Sequence, residues 1–146
     1  MKILAINHIT INVKDLEKTK AFFADVLKLP EAGFVDMGDH TLTYYQLTPD
    51  TRLELINYLT EQKTADITET DLCTYRHFCL ETDDLEGFAA DCRAAGVPIR
   101  KEPGWVENLQ CSTMLITDPN GVEIEIIQKR RHYIPEMYLP NLKFEF

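Results

Sequence analysis

Two histidines and two glutamates hold most of the chemistry this chain can offer, because the sequence around them is written twice. Residues 8–17 (HITINVKDLE) are echoed 69 residues later by residues 77–86 (HFCLETDDLE). Leu53-Glu54-Leu55-Ile56 recurs in the same way as Ile124-Glu125-Ile126-Ile127. A module of roughly 65 to 70 residues is therefore repeated, and each copy has one histidine near its start and one glutamate near its end. A lone histidine in an apolar strand is ordinarily a hydrogen-bonded core residue. Two histidines and two glutamates related by one repeat ask for a shared task. A carboxylate flanked by aliphatic neighbours is costly to desolvate, so it calls for a cation or a place at the surface. Neutral imidazole and ionised carboxylate together suit a borderline divalent ion such as Zn²⁺, Ni²⁺, Mn²⁺ or Fe²⁺. His8, Glu54, His77 and Glu125 are accordingly the expected metal ligands.

The elements that must position them follow from periodicity. Residues 3–13 alternate as a half-buried strand with His8, Thr10 and Asn12 on one face. Asp15 is an N-cap for a helix in which Leu16, Phe22, Phe23, Val26 and Leu27 share a side, and Pro30 ends it. Strands are predicted over 33–37, 41–47 and 52–58, with turns at Gly38-Asp39 and Pro49-Asp50. A polar connector over 60–73 precedes a second copy: a strand over 75–81, a helix over 85–95 capped by Asp84 and stopped at Gly96, and a short strand over 97–101. A loop around Pro103-Gly104-Trp105, a strand over 111–117, a turn at Asp118-Pro119-Asn120-Gly121 and a strand over 122–128 complete it. Both copies read β-α-β-β-β, so the fold class is α+β. One domain spans 1–146, with module one at about 3–59, module two at about 74–128 and a tail at 129–146. Strand parity places Glu123 and Glu125 on one face and does not separate them. The repeat selects Glu125, whose aliphatic neighbours match those of Glu54.

Composition narrows the function classes. The 146 residues suffice for one core, and the net charge of −9 argues against a nucleic-acid surface. No apolar run is long enough to cross a bilayer, and because Met1-Lys2 leads directly into the first strand pattern, no leader peptide is expected. Cys73, Cys79, Cys92 and Cys111 form no C-x-x-C pair; they read as reduced residues of a cytoplasmic protein, most of them small core fillers.

The four residues in their repeated settings, together with the Asp118-Pro119-Asn120-Gly121 turn before the last strand, resemble the vicinal oxygen chelate superfamily over residues 3–128. That superfamily includes glyoxalase I, methylmalonyl-CoA epimerase, ring-cleaving dioxygenases and drug-binding resistance proteins. The resemblance implies paired βαβββ modules whose curved sheets form a half-barrel around a metal, in a homodimer. With all four ligand positions filled, the chain is most similar to the glyoxalase I and epimerase branch. This implies a lyase, isomerase or epimerase acting on a small 2-oxo or thioester-type substrate. Proton transfer would pass through a metal-stabilised enediolate, with Glu54 or Glu125 as base. Asn12 stands where the bacterial glyoxalase I pattern has a glutathione-binding arginine, and Tyr58 where it has asparagine, so the resemblance does not extend to the glutathione site. The alternatives are a ring-cleaving dioxygenase and a non-catalytic small-molecule binding or resistance protein.

Around the quartet, Asn12, Arg52, Tyr58, Cys79 and Thr113 are candidate substrate contacts, and Trp105 a candidate lid residue. His40 and His132 read as exposed. The tail has many apolar side chains, with Pro135 and Pro140 opposing a continuous helix, so it is expected to dock on its own or a partner subunit.

Overall fold

The computed structural model describes residues 4–68, 70–73 and 75–129. The same series of elements occurs twice. The first comprises β1 (His8–Asn12), α1 (Leu16–Ala21), β2 (Glu31–Asp36), β3 (His40–Thr48) and β4 (Thr51–Tyr58). The second comprises β5 (Phe78–Glu81), α2 (Leu85–Ala94), β6 (Ile99–Val106), β7 (Cys111–Thr117) and β8 (Glu123–Lys129). The sheets, ordered β1-β4-β3-β2 and β5-β8-β7-β6, have the same topology. In each, the first pair is parallel and the other two antiparallel. The fold is α+β, built of two βαβββ modules. The chain divides into two compact units: one takes the described residues through Arg76 together with Asp118–Val122, the other His77–Thr117 and the described residues from Glu123 onward.

In the first unit, alternation sends Ile11, Leu53, Leu55, Thr43 and Tyr45 to the face covered by the helix, where Thr19, Phe22 and Phe23 meet them, all buried. Asp15 caps α1 by accepting the Lys18 N–H. Periodicity predicted one helix through Leu27, but after Ala21 the chain opens into a π turn over Phe22–Val26, closed by Leu27 N–H to the Phe22 carbonyl at 3.1 Å. The wider turn lets two consecutive rings enter the core, edge to face with centroids 4.9 Å apart. His40 begins β3 rather than lying exposed in a turn: Nδ1 is 2.6 Å from Asp39 Oδ1, and its ring is 5.5 Å from that of Tyr58.

The Asp118–Val122 turn is anchored in this unit by Asn120. Its Oδ1 accepts the Lys14 N–H at 2.7 Å, and its Nδ2 donates to Thr19 Oγ1 at 3.1 Å and Asp118 Oδ2 at 2.8 Å. Asp118 Oδ1 accepts the Asn120 and Val122 N–H groups, and Gly121 takes a left-handed φ of 82°. Burial holds the Asp118 carboxyl above the usual range despite these donors.

In the second unit, Phe78, Met114, Ile116, Ile124 and Ile126 form the buried face against Leu85, Ala89 and Cys92 of α2. Strand β5 starts at Phe78, later than expected. Strand β6 continues through Pro103, Gly104 and Trp105, which were expected in a loop, and its register shifts on both sides of Lys101. As the outer strand of its sheet, β6 tolerates a proline without an N–H donor. Of the four cysteines, Cys92 and Cys111 are buried, whereas Cys73 and Cys79 are exposed rather than core fillers. The connector has no regular structure over its described residues. His132 and nearly all of the tail lie outside the described residues.

Candidate functional site

In the second unit, the parallel pairing of β5 with β8 sets Cys79 opposite Glu125. His77, one residue before β5, then lies beside both glutamates of β8. Its Nε2 is 3.1 Å from Glu125 Oε2 and its Nδ1 3.4 Å from Glu123 Oε1, while Glu123 Oε2 meets Arg100 Nη1 at 3.1 Å. The Nδ1 approach falls short of a well-aligned hydrogen bond. Glu123 is 5% exposed, a carboxyl group that has these partners in a poorly solvated place. Desolvation of its sulfur, followed by the Glu125 carboxylate, pushes the Cys79 thiol up to about 12. Thr113, also buried, accepts a hydrogen bond from Lys101 Nζ at 2.9 Å. Trp105 is on the outer strand, with Nε1 donating to Glu107 Oε2 at 2.6 Å. That is a strand position, not the loop position on which a lid role was expected.

In the first unit, pairing of β1 with β4 sets Thr10 opposite Glu54 and His8 opposite Arg52, while β3 brings Tyr44 to the other side of Glu54. Glu54 is 8% exposed, and its two oxygens accept from the Thr10 hydroxyl at 3.1 Å and from the Tyr44 hydroxyl. The sequence suggested a cation or a surface position for this carboxylate; in the structure, two hydroxyl donors satisfy it. The hydrogen bond to Glu54 is the largest cause holding the Tyr44 phenol above its usual range. The Arg52 guanidinium stacks on the Tyr44 ring, 4.4 Å from its centroid. His8 is exposed, with Nδ1 2.8 Å from Asn7 Oδ1. Asn12 closes β1 opposite Ile56, and Tyr58 closes β4, 39% exposed.

The structure thus joins His77 to Glu125 and places His8 on the face of Glu54, diagonal to it across the ladder. Thr10, Tyr44 and Glu123 are the site residues that sequence reasoning did not select. Among the described residues, no three His, Cys, Asp or Glu side chains form a group able to hold a metal ion. Glu123 and Glu125 approach opposite nitrogens of His77 and so do not converge on one ion. The His77–Glu125 pair alone has suitable donor chemistry, since an imidazole nitrogen and a carboxylate oxygen both bind borderline divalent ions.

Residues 5–126 match the Glyoxalase/Bleomycin resistance protein/Dioxygenase superfamily. The chain belongs to this superfamily. Lactoylglutathione lyase GLX1 of Arabidopsis thaliana is 25% identical over 126 residues, covering 84% of this chain and 43% of that protein. The chain thus spans less than half the length of this relative. A Vibrio cholerae protein named "Probable lactoylglutathione lyase" is 24% identical over 126 residues, covering 85% and 90% of the two chains. Glyoxalase I from Zea mays superposes with a TM-score of 0.73 at 22% identity, covering 85% of this chain and 44% of that one. Superfamily membership and this likeness support the doubled βαβββ fold. Among the described residues, no helix is long and apolar enough to cross a membrane.

Proposed function

We propose that this superfamily member is a divalent-metal-dependent lyase or isomerase of the glyoxalase type. It would move a proton between adjacent carbons of a small 2-oxo or thioester-type substrate through an enediolate. The observation that carries the reading is the His77–Glu125 contact at 3.1 Å, which unites one repeated histidine with its repeated glutamate. His8 and Glu54 are the equivalent pair of the first module, and His8, Glu54, His77 and Glu125 are the residues assigned to hold the ion. When bound, a divalent cation polarises a carbonyl oxygen and stabilises the negative charge that develops on it.

The surroundings of the two carboxylates divide their labour. Glu54 is fixed by Thr10 and Tyr44, which favours a holding role. The Glu125 side chain is 20% exposed and lies beside His77 and Cys79, which favours taking a proton from one carbon and returning it to the next. Arg52, whose guanidinium has the Tyr44 ring on one face, is assigned to an anionic part of the substrate; Asn12, Tyr58, Cys79 and Thr113 remain candidate contacts. The reaction class is carried over from the lyase relatives, but glutathione is not, because Asn12 and Tyr58 depart from that subsite. We also propose a homodimer in the cytoplasm.

The test is metal analysis of the purified protein, followed by turnover of a methylglyoxal hemithioacetal. Metal-dependent turnover is expected in wild type, with a fall of at least a hundredfold in Glu125→Gln and weaker metal retention in that variant. Ring cleavage of a catechol would transfer the chain to the dioxygenase class. Tight ligand binding without turnover would make it a binding protein.

A further inference from the structure

Arg52 is half-buried, yet among the described residues its guanidinium meets no carboxylate and makes no hydrogen bond. The side chain is held all the same, stacked 4.4 Å from the centroid of the Tyr44 ring. Tyr44 is itself fixed at its far end, where its hydroxyl donates to Glu54. Glu54, two residues along β4, has its oxygens taken up by the Thr10 and Tyr44 hydroxyls and does not pair with Arg52. Gln46, opposite Arg52 on β3, turns its amide N–H groups to the Thr48 and Thr51 carbonyls. A guanidinium stacked through its face keeps its donors free in its own plane, where they match the two oxygens of a carboxylate. A cation held on such a platform without a counter-ion is a ready receptor for an external carboxylate.

The same face of the first sheet changes character one rung beyond Glu54 and Tyr44. The next residues on it are Ile56, Leu42 and Val35, aligned across β4, β3 and β2. Val35 is 42% exposed, and Ile56 and Leu42 are half-buried. Successive rungs on one face are roughly 7 Å apart, so a carboxylate on Arg52, a reacting carbon beside Glu54 and an apolar group over Ile56 fit within one small molecule. We propose that the substrate is a carboxylate with an apolar chain or ring: its charged end takes a two-pronged contact from Arg52, and its apolar end lies on Ile56, Leu42 and Val35. This names the substrate class for the proton transfer proposed above, and it rests on that reading only in placing the reacting carbon between the two ends. A small adduct without a carboxylate leaves Arg52 unpaired, and a wholly polar acid leaves the apolar rung in water, so both fit this face less well.

The probe is 3-phenylpropanoate, which has both ends and no 2-oxo group to bind a metal. It is titrated calorimetrically into the full chain, beside 3-phenylpropanamide and acetate. Wild type is expected to bind the phenylpropanoate and to take the uncharged amide and the acetate each at least roughly tenfold more weakly. Arg52→Met is expected to weaken the phenylpropanoate roughly 10- to 100-fold and to erase its advantage over the amide. Arg52→Lys, which keeps the charge and loses the fork, is expected to fall between. Ile56→Asn is expected to weaken the phenylpropanoate and leave acetate unchanged. With ¹⁵N-labelled arginine in wild type, the Arg52 Nε–H signal is expected to shift on adding the acid and not the amide, a readout that needs no variant. No binding of the acid, equal binding of acid and amide, or an Arg52→Met affinity matching wild type overturns the proposal. Turnover of the hemithioacetal without any preference for the acid overturns this substrate class and leaves the proton-transfer reading standing. Binding of the acid through Arg52 without that turnover supports the carboxylate site and sinks the reaction.

Discussion

Tyr44→Phe tests the claim that hydroxyl donors make the buried Glu54 tolerable. The substitution removes one oxygen and keeps the ring, so the platform beneath Arg52 survives. What is lost is one of two side-chain donors to a carboxylate that is 8% exposed. A hydrogen bond to a charged group contributes about 1.5–3 kcal/mol, and an orphaned buried acceptor lies at the upper end of that range. Partial access of water to the tyrosine side argues for the lower half, so about 2 kcal/mol is expected. For a chain of this length that corresponds to a fall in Tm of roughly 4–8 °C. Urea unfolding at neutral pH of wild type, Tyr44→Phe, Glu54→Gln and the double variant closes a cycle. The coupling energy is expected to exceed about 1 kcal/mol. If Tyr44→Phe costs the same with or without the Glu54 charge, or costs less than about 0.5 kcal/mol, hydroxyl support of Glu54 is refuted.

Three further outcomes follow from the same coordinates. Tyr44 stays protonated in the folded protein while an unfolded tyrosine ionises near pH 10, so its contribution is complete below that pH and is lost as pH rises through its higher folded value; spectrophotometric titration of wild type and Glu54→Gln should show one phenol moving back toward the usual range. Although Cys79 is exposed, burial of its sulfur and the neighbouring Glu125 push the thiol up to about 12, so iodoacetamide should modify it far more slowly in folded than in urea-unfolded protein by peptide mapping. Asn120→Ala removes three hydrogen bonds and should cost about 2–3 kcal/mol by urea unfolding, while Asn120→Asp should cost more, because it sets a second carboxylate against the buried Asp118.

The doubled βαβββ order was legible because alternation in 8–13 and 52–58 and the Asp15 and Asp84 caps survive as local patterns. The partners of Glu54 were not. A two-residue turn at Pro49-Asp50 continues the Thr48–Thr51 pairing in a simple ladder that would bring Tyr45 opposite Glu54. The structure instead shifts register between Gln46 and Thr48, which brings Tyr44 there and sends Tyr45 into the core. One residue of slip exchanges the two faces, and no local signal marks it. Strand β6 was missed for a related reason: Pro103 and Gly104 read as a break, yet the register shifts of an outer strand absorb them. Parity left Glu123 and Glu125 tied, and the tie was real, since His77 meets both.

The Asp118–Val122 turn joins two strands of the second sheet, yet it is part of the first unit. That unit is therefore discontinuous in sequence, completed by residues translated some forty positions after its main body ends. A fragment stopping at Arg76 would leave the Lys14 amide and the Thr19 hydroxyl without Asn120. Poor recovery of a fragment ending at Arg76, relative to the full chain, is the outcome this discontinuity leads one to expect.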